Sequence, residues 1–157
     1  MGKLIIIEGL DGCGKSTQTA LLEKYFEDNS VNFKKIKLPD YDSKSSTLVK
    51  MYLGGEFGKN ANDVNAYAAG AFYAVDRFAS YKLDWGKDYE NGALILADRY
   101  ATSNSIYQIA KIQIFPFRNM NKAFCNFKIV KRLLTFFKLI KIIFKKTTQS
   151  TLMICLY

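Results

Sequence analysis

The sequence predicts an α/β fold with three layers, in which helices cover both faces of a parallel sheet. Residues 3–8 (KLIIIE) form a short apolar run with three consecutive β-branched residues, which is typical of a strand buried on both faces. Further strand-like runs alternate with stretches whose apolar residues recur at helical spacing. The connections between successive strands are long enough to hold a helix, and this length favours parallel pairing through right-handed crossovers.

The first half of the pattern consists of a strand, a helix and a second strand. After the strand at residues 3–8, a glycine-rich loop leads to a helix that should begin near Lys15 and end near residue 29. The apolar face of this helix consists of Ala20, Leu21, Leu22, Tyr25 and Phe26. Residues 33–38 (FKKIKL) alternate in part and predict a second strand that ends before Pro39.

The second half adds two helices and a third strand. Ser43 is a candidate N-cap for a short helix, and either Asn62 or Asp63 is a candidate N-cap for a long helix that reaches about residue 85. An Asn-Gly turn then precedes residues 93–97 (ALILA), which predict another buried strand. Polar residues follow directly at the carboxyl end of this strand, where ligands bind in open α/β sheets.

Composition excludes several classes of chemistry. The 157 residues include no histidine, which excludes a histidine general base and a His-ligated zinc site. The three cysteines, at positions 13, 125 and 155, are odd in number and widely spaced, as expected in a reducing cytoplasm. No uncharged apolar run approaches the roughly 18 residues of a membrane span, so we expect neither a membrane span nor a signal peptide.

The charge of the chain changes sharply near Gln108, in the middle of a further predicted helix. Ten of the 23 basic residues and none of the 14 acidic residues lie in residues 109–157, which are rich in Lys, Ile and Phe. Three interpretations compete for this tail. It is a basic amphipathic helix, with Lys131, Lys138 and Lys145 at seven-residue spacing, or a nucleic-acid-binding arm, or the out-of-frame translation of an AT-rich message. We favour the third interpretation and expect no nucleic-acid partner.

A phosphate-binding loop lies between the first strand and the first helix. Residues 9–16 (GLDGCGKS) match the pattern G-x-x-x-x-G-K-[ST] without a gap, which indicates a P-loop NTPase fold. Glycines let backbone N–H groups converge on phosphate oxygens, Lys15 can reach the β- and γ-phosphates of ATP, and the Ser16 hydroxyl can bind Mg²⁺. The predicted nucleotide-binding residues are Gly9, Leu10, Asp11, Gly12, Cys13, Gly14, Lys15, Ser16 and Thr17.

Four segments together resemble the thymidylate kinases, which are P-loop kinases that phosphorylate dTMP with ATP. The segments are residues 7–18 (IEGLDGCGKSTQ), 37–40 (KLPD), 73–77 (YAVDR) and 98–100 (DRY), the last being followed by Ser103 and Tyr107. Their order and spacing agree with the family over residues 1–108. The resemblance ends there, and we therefore interpret residues 1–108 as a partial kinase domain that is incomplete at its C-terminal side.

The resemblance implies a role for each matching residue. Asp11 would face the deoxyribose 3′-hydroxyl, and Tyr73 would stack on thymine beside Arg77, which would donate to a thymine oxygen. Tyr73 and Arg77 are four residues apart and so share one helix face, although Phe72 is a rival for the stacking role. Arg99 would bind the acceptor phosphate, and Asp98 would hold Mg²⁺ through water; with Lys15 these two residues form the implied catalytic set. Ser103 and Tyr107 are further substrate-binding positions.

The sequence also departs from the family pattern. Tyr41 stands where many members carry an arginine, and no arginine-bearing lid motif follows Gln108. We therefore expect slow turnover, with the first strand left at an unpaired sheet edge. A non-catalytic nucleotide-binding remnant and a related deoxynucleoside or nucleotide kinase stay open as alternatives. The resemblance further implies a homodimer.

Overall fold

The computed structural model describes residues 2–9, 11–60, 62–112 and 151–156. Its strands are β1 (Lys3–Gly9), β2 (Phe33–Lys37), β3 (Leu94–Asp98) and β4 (Thr151–Leu156). They form one sheet in the order β2-β3-β1-β4, and every pairing is parallel. The parallel sheet is as predicted, and the three predicted strands lie within one residue of the observed bounds.

Helices connect these strands. They are α1 (Lys15–Asp28), α2 (Thr47–Leu53), α3 (Ala66–Ser80), α4 (Gly86–Glu90) and α5 (Thr102–Ile112). A 3-10 turn (Lys44–Ser46) precedes α2, and a π-helical turn (Tyr81–Trp85) joins α3 to α4. Among the residues described, no helix is long and apolar enough to cross a bilayer.

Both faces of the sheet are covered, which produces the three predicted layers. On one face, Leu22 and Phe26 of α1 are buried against Ile5, Ile7 and Leu96 of the two central strands. On the other face, the buried cluster consists of Leu4, Ile6, Ile36, Trp85, Tyr89, Ile95 and Ala97. Alternate residues of β1 therefore enter opposite clusters, as the two-residue period of a strand requires.

The structure corrects the predicted start of the long helix. Neither Asn62 nor Asp63 caps it; the cap is Asn65, whose side chain accepts a 2.8 Å hydrogen bond from the Ala68 backbone N–H. Asp63 instead accepts a bond from the Asn60 backbone, 2.9 Å away, and closes the preceding turn. The α-helix also ends at Ser80, and the π-helical turn continues to Trp85, which is buried in the core.

The prediction that β1 lies at an unpaired sheet edge is wrong. Strand β4 pairs with β1 in parallel along its length, from Leu4 opposite Thr151 to Gly9 opposite Leu156. Strand β1 is therefore central, and the two edges of the sheet are β2 and β4. The amphipathic helix considered for Lys131, Lys138 and Lys145 falls outside the described residues.

Candidate active site

The phosphate-binding loop connects the carboxyl end of β1 to the amino end of α1. Gly12 (φ 80°) and Gly14 (φ 88°) adopt left-handed conformations. A Cβ atom at either position would meet no other atom within 4 Å, so the backbone angle and not the available space favours glycine there. Leu10, one of the predicted binding residues, lies outside the described residues.

Lys15 is buried within this loop. Its Nζ donates a 3.0 Å hydrogen bond to the Gly9 carbonyl, lies 3.8 Å from the Cys13 sulfur, and lies 4.0 Å from an oxygen of Asp11. Ser16 and Thr17 follow it in the first turn of α1 and are exposed to solvent. Backbone N–H groups, a lysine and the amino end of a 14-residue helix thus meet at one point, which is an arrangement that binds anions.

A cavity of about 610 Å³ lies beside the loop. Six of the sequence-predicted site residues line it, namely Asp11, Tyr73, Arg77, Arg99, Ser103 and Tyr107. Lys15, Ser16, Thr17 and Asp98 are not part of its lining; they belong to the loop and to the end of β3. Asp11 connects the two groups, since it lines the cavity and also contacts Lys15.

Asp11 joins three elements through its carboxylate. It forms an ion pair with the Arg99 guanidinium, and it accepts a 3.1 Å hydrogen bond from the Tyr107 hydroxyl on α5. The hydrogen bonds from Arg99 and Tyr107, together with the charge of Arg99, hold the pKa of Asp11 below its ordinary value. The carboxylate is therefore ionised at neutral pH, although it is largely exposed.

Helix α3 contributes Tyr73 and Arg77 to the same wall of the cavity. Burial, and then the neighbouring Tyr41 and Tyr52, raise the pKa of Tyr73 to about 12. The Arg77 guanidinium makes no hydrogen bond or ion pair with any described residue, and Arg77 lines the cavity. Phe72 packs on Phe57 (5.5 Å between ring centroids) and is not part of the cavity lining.

Arg99 is held in a strained backbone conformation at the start of the α5 segment. Its φ is 69°, which is uncommon for a residue with a side chain. The Arg99 N–H donates to the Ile7 carbonyl (3.0 Å), and its guanidinium lies 3.5 Å from the Ser103 hydroxyl. The contacts with Ile7 and Ser103, together with the ion pair with Asp11, therefore hold the Arg99 guanidinium in the cavity lining.

Glu8 is a site residue that the sequence did not reveal. It is only 2 % exposed, and its carboxylate accepts bonds from the backbone N–H groups of Tyr100 (2.9 Å), Thr102 (3.1 Å) and Ser103 (3.4 Å), and from the Ser103 hydroxyl. It thereby caps the amino end of α5 from the end of β1. The only sequence signal was a charged residue at the end of an apolar run.

Asp76 and Gln108 are two further lining residues without a role in the sequence prediction. Asp76 is 1 % exposed and accepts bonds from the Asp40 backbone (3.0 Å) and the Ser45 hydroxyl (2.7 Å), which fixes the loop after β2. Gln108 is buried; its amide nitrogen donates to Asn104 (3.1 Å), whereas its carbonyl oxygen has no partner within the described part of the chain. That oxygen is enclosed by protein atoms, so a ligand in the cavity would contact it only after the side chain turned.

The residues predicted to hold Mg²⁺ have suitable chemistry. Asp98 is buried at the carboxyl end of β3, and its carboxylate accepts no hydrogen bond from a described residue. Ser16 supplies a hydroxyl at the start of α1, and both are hard oxygen ligands of the kind that Mg²⁺ prefers. Among the described residues, no group of three or more acidic, His or Cys side chains lies in an arrangement that could hold a metal ion.

Comparison with protein families and curated proteins places this geometry in a known context. Residues 7–142 match the family model for thymidylate kinase. A thymidylate kinase from Plasmodium falciparum is 29 % identical over 125 residues, which cover 79 % of this chain and 53 % of that protein. A probable thymidylate kinase from Pyrococcus horikoshii is 31 % identical over 110 residues, or 70 % of this chain and 53 % of that protein. The chain thus spans about half the length of the curated relatives it matches.

Solved structures agree with this result. Thymidylate kinase from Candida albicans aligns with a TM-score of 0.57 at 31 % identity, covering 73 % of this chain and 47 % of that one. Thymidylate kinase from Ehrlichia chaffeensis aligns with a TM-score of 0.55 over 98 % of this chain and 87 % of that one. At 19 % identity the second alignment supports the fold alone.

Proposed function

The chain belongs to the thymidylate kinase family, and we propose that it binds ATP and dTMP and transfers the γ-phosphate of ATP to dTMP, giving ADP and dTDP. The observation that carries this proposal is the common cavity of Tyr73, Arg77 and Arg99 next to the phosphate-binding loop. One wall offers the aromatic ring of Tyr73 and the Arg77 guanidinium for a base, and another offers the Arg99 guanidinium for a phosphate.

Base recognition is assigned to α3 and α5. Thymine stacks on the neutral ring of Tyr73, and Arg77 donates to a ring oxygen. The carbonyl oxygen of Gln108, which has no donor among the described residues, would accept the thymine N3–H once its side chain turned toward the cavity, since a buried acceptor without a donor is unfavourable until a ligand supplies one. An acceptor on the protein and a donor on the base at this position would disfavour cytosine, whose N3 carries no hydrogen.

Sugar and phosphate recognition is assigned to the opposite end of the cavity. Asp11 accepts from the deoxyribose 3′-hydroxyl, with Tyr107 beside it and Ser103 one helical turn away. Arg99 binds the acceptor phosphate, because its planar guanidinium can donate two parallel bonds. Its ion pair with Asp11 fixes the guanidinium in the cavity before the phosphate arrives.

The ATP phosphates are assigned to the loop residues Gly9 to Thr17. Lys15 contacts the β- and γ-phosphates, and the backbone N–H groups that follow Gly12 contact the remaining oxygens. Ser16 and Asp98 would hold Mg²⁺, which when bound neutralises charge on the transferred phosphoryl group. An oxygen of the dTMP phosphate attacks the γ-phosphorus, and the bond to the β–γ bridging oxygen breaks, so that ADP leaves with that oxygen.

The slow turnover expected from the sequence stays a prediction. Lys15 and Arg99 are the two cationic side chains that the described residues place at the loop. A transition-state arginine supplied to such a site is worth roughly 10³–10⁵ in rate. Binding of both substrates is therefore the property that the described residues support most directly.

The proposed location is the cytoplasm. The free thiol of Cys13 is in keeping with a reducing compartment.

A homodimer is proposed through the outer face of α3. Tyr67 (76 % exposed), Val75 (52 %) and Phe78 (65 %) form an apolar stripe with the exposed Ala71 and Ala74. A stripe of this kind is typical of a helix that packs on a second protein surface. Light scattering should give twice the chain mass for wild type and the single mass for Phe78→Glu, whereas Val31→Glu, at an exposed apolar position outside the stripe, should stay dimeric.

Thermal unfolding in the presence of candidate acceptors tests the proposed specificity. A ligand present at 100 times its Kd stabilises the native state by about 2.7 kcal/mol. At equal concentrations we expect dTMP to raise the unfolding temperature more than dCMP, dGMP or thymidine. Equal shifts for dTMP and dCMP would refute base recognition by Tyr73, Arg77 and Gln108, and a larger shift with thymidine would favour a deoxynucleoside kinase.

A further inference from the structure

Lys111, in the last turn of α5, contacts a tyrosine hydroxyl, a backbone carbonyl and an aromatic ring, and it forms no ion pair among the described residues. Its Nζ donates a 2.6 Å hydrogen bond to the Tyr52 hydroxyl, and it lies 3.4 Å from the Val64 carbonyl oxygen. It also lies 4.9 Å from the centroid of the Tyr52 ring. These contacts tie α5 to α2 and to the segment that leads into α3.

Tyr52 passes this restraint on to the proposed stacking residue. Its ring meets Tyr73 edge to face, with centroids 6.4 Å apart and planes at 86°. Tyr52, Tyr73 and Lys111 all line the cavity. The ammonium group therefore fixes one aromatic ring, and that ring in turn lies against the ring assigned to thymine.

Lys111 lies at one end of the α5 face that lines the cavity. Asn104, Gln108 and Lys111 recur at spacings of four and three, so they share the helix face that lines the cavity. With a rise of 1.5 Å per residue, Lys111 lies about 12 Å along the helix from Ser103, which marks the phosphate end. Lys111 is thus at the opposite end of this helix face from Ser103, nearly one turn beyond Gln108, and Tyr52 contacts it there.

We propose that Lys111 and Tyr52 form the end wall of the acceptor cavity and act as positioning residues, holding Tyr73 in place for stacking on the base. The inference rests on the proposed function. A charged donor makes a stronger hydrogen bond to a phenol than a neutral one, and edge-to-face aromatic pairs have a preferred geometry. Without the ammonium, the Tyr52 ring would lose its fixed orientation, and Tyr73 would lose a packing surface.

The test compares the binding of two ligands to the full chain. Isothermal titration calorimetry would measure dTMP and, separately, ATP with wild type, Lys111→Met, Lys111→Arg and Tyr52→Phe. We expect Lys111→Met to weaken dTMP binding about tenfold, which corresponds to 1.4 kcal/mol, and to leave ATP binding unchanged. Lys111→Arg should restore most of the affinity, because an arginine can still donate to the Tyr52 hydroxyl.

Two further variants make the result decisive. Tyr52→Phe removes one oxygen and keeps the ring, so it should weaken dTMP binding in the same direction even if Lys111→Met does not fold. Lys82→Met is the matched control, because Lys82 also lies over a tyrosine ring, 5.7 Å from the centroid of Tyr81, but does not line the cavity. It should bind both ligands as wild type does.

The possible outcomes separate this inference from the function on which it rests. Wild type that fails to bind dTMP would refute the proposed function, and the end wall with it. Normal dTMP binding by both Lys111→Met and Tyr52→Phe would overturn the inference alone. Equal losses of dTMP and ATP binding would also overturn it, since they would mean that Lys111 only stabilises the fold.

Discussion

Replacing the buried Glu8 with glutamine is the sharpest test of how β1 organises the site. Glu8 accepts hydrogen bonds from the backbone N–H groups of Tyr100, Thr102 and Ser103 and from the Ser103 hydroxyl. These donors lie just before α5 and in its first turn. Glu8→Gln keeps the shape and one acceptor oxygen but removes the negative charge. The charge is the main attraction for the amino end of the helix.

The magnitude follows from the bonds that Glu8 makes. Hydrogen bonds to charged groups contribute roughly 1.5–3 kcal/mol and neutral bonds about 1 kcal/mol, while an acidic group at a helix amino end adds about 0.3–1 kcal/mol. Removing the charge also relieves the free energy of burying it, which offsets part of this difference. We therefore expect Glu8→Gln to lower the free energy of unfolding by about 2 kcal/mol, or the unfolding temperature by about 4–8 °C.

Differential scanning calorimetry of Glu8→Gln against Glu56→Gln provides the measurement. Glu56 is exposed, and its side chain makes no hydrogen bond within the described chain, so its variant should unfold within about 1 °C of wild type. Glu8→Gln should also bind dTMP more weakly, because Arg99 adopts its strained conformation next to the capped turn. Identical unfolding temperatures for the two variants would refute the capping role of Glu8.

Three other predictions concern charge and rate. Because the pKa of Tyr73 is raised to about 12 by burial, whereas an unfolded tyrosine titrates near 10, the stability it provides is complete below about pH 10 and is lost between about pH 10 and 12. Tyr73→Phe should flatten that decline in urea unfolding, and an unchanged decline would contradict the burial of the phenol. Arg99→Lys should weaken dTMP binding about tenfold by calorimetry, since lysine cannot donate two parallel bonds, and wild-type affinity would exclude bidentate binding. Recombinant full-length chain should form ADP from ATP and dTMP more slowly than the usual 1–100 s⁻¹; a rate within that range would contradict the expectation of slow turnover.

Local sequence signals account for the parts of the fold that were predicted. The apolar run of β1, the glycines of the loop and the helical spacing of Tyr73 and Arg77 each depend on residues close together in the chain. The parallel sheet follows from such signals and from the lengths of the connections. The position of Tyr73 and Arg77 together on one side of α3 follows from their spacing. The start of α3 was misassigned because Asn62, Asp63 and Asn65 are all chemically suitable caps. In the structure Asp63 closes the preceding turn, and Asn65 caps the helix.

Contacts between distant residues account for what the sequence did not reveal. Glu8 and Ser103 are 95 positions apart, and Lys111 and Tyr52 are 59 apart, so neither contact leaves a local pattern. Strand β4 was missed for a related reason. Residues 151–156 form a short apolar run in a basic segment without nearby turn signals, and only pairing with β1 identifies it as a strand.

A crystal structure of the full chain with dTMP would test the shared cavity most directly. We predict the thymine ring on Tyr73, with centroids about 4.5–7 Å apart, and an Arg77 nitrogen within about 3.2 Å of a ring oxygen. The dTMP phosphate should lie on the Arg99 guanidinium, facing Lys15. A nucleotide bound with its base away from Tyr73 and Arg77, or with its phosphate away from Arg99, would contradict the assignment of dTMP as the acceptor.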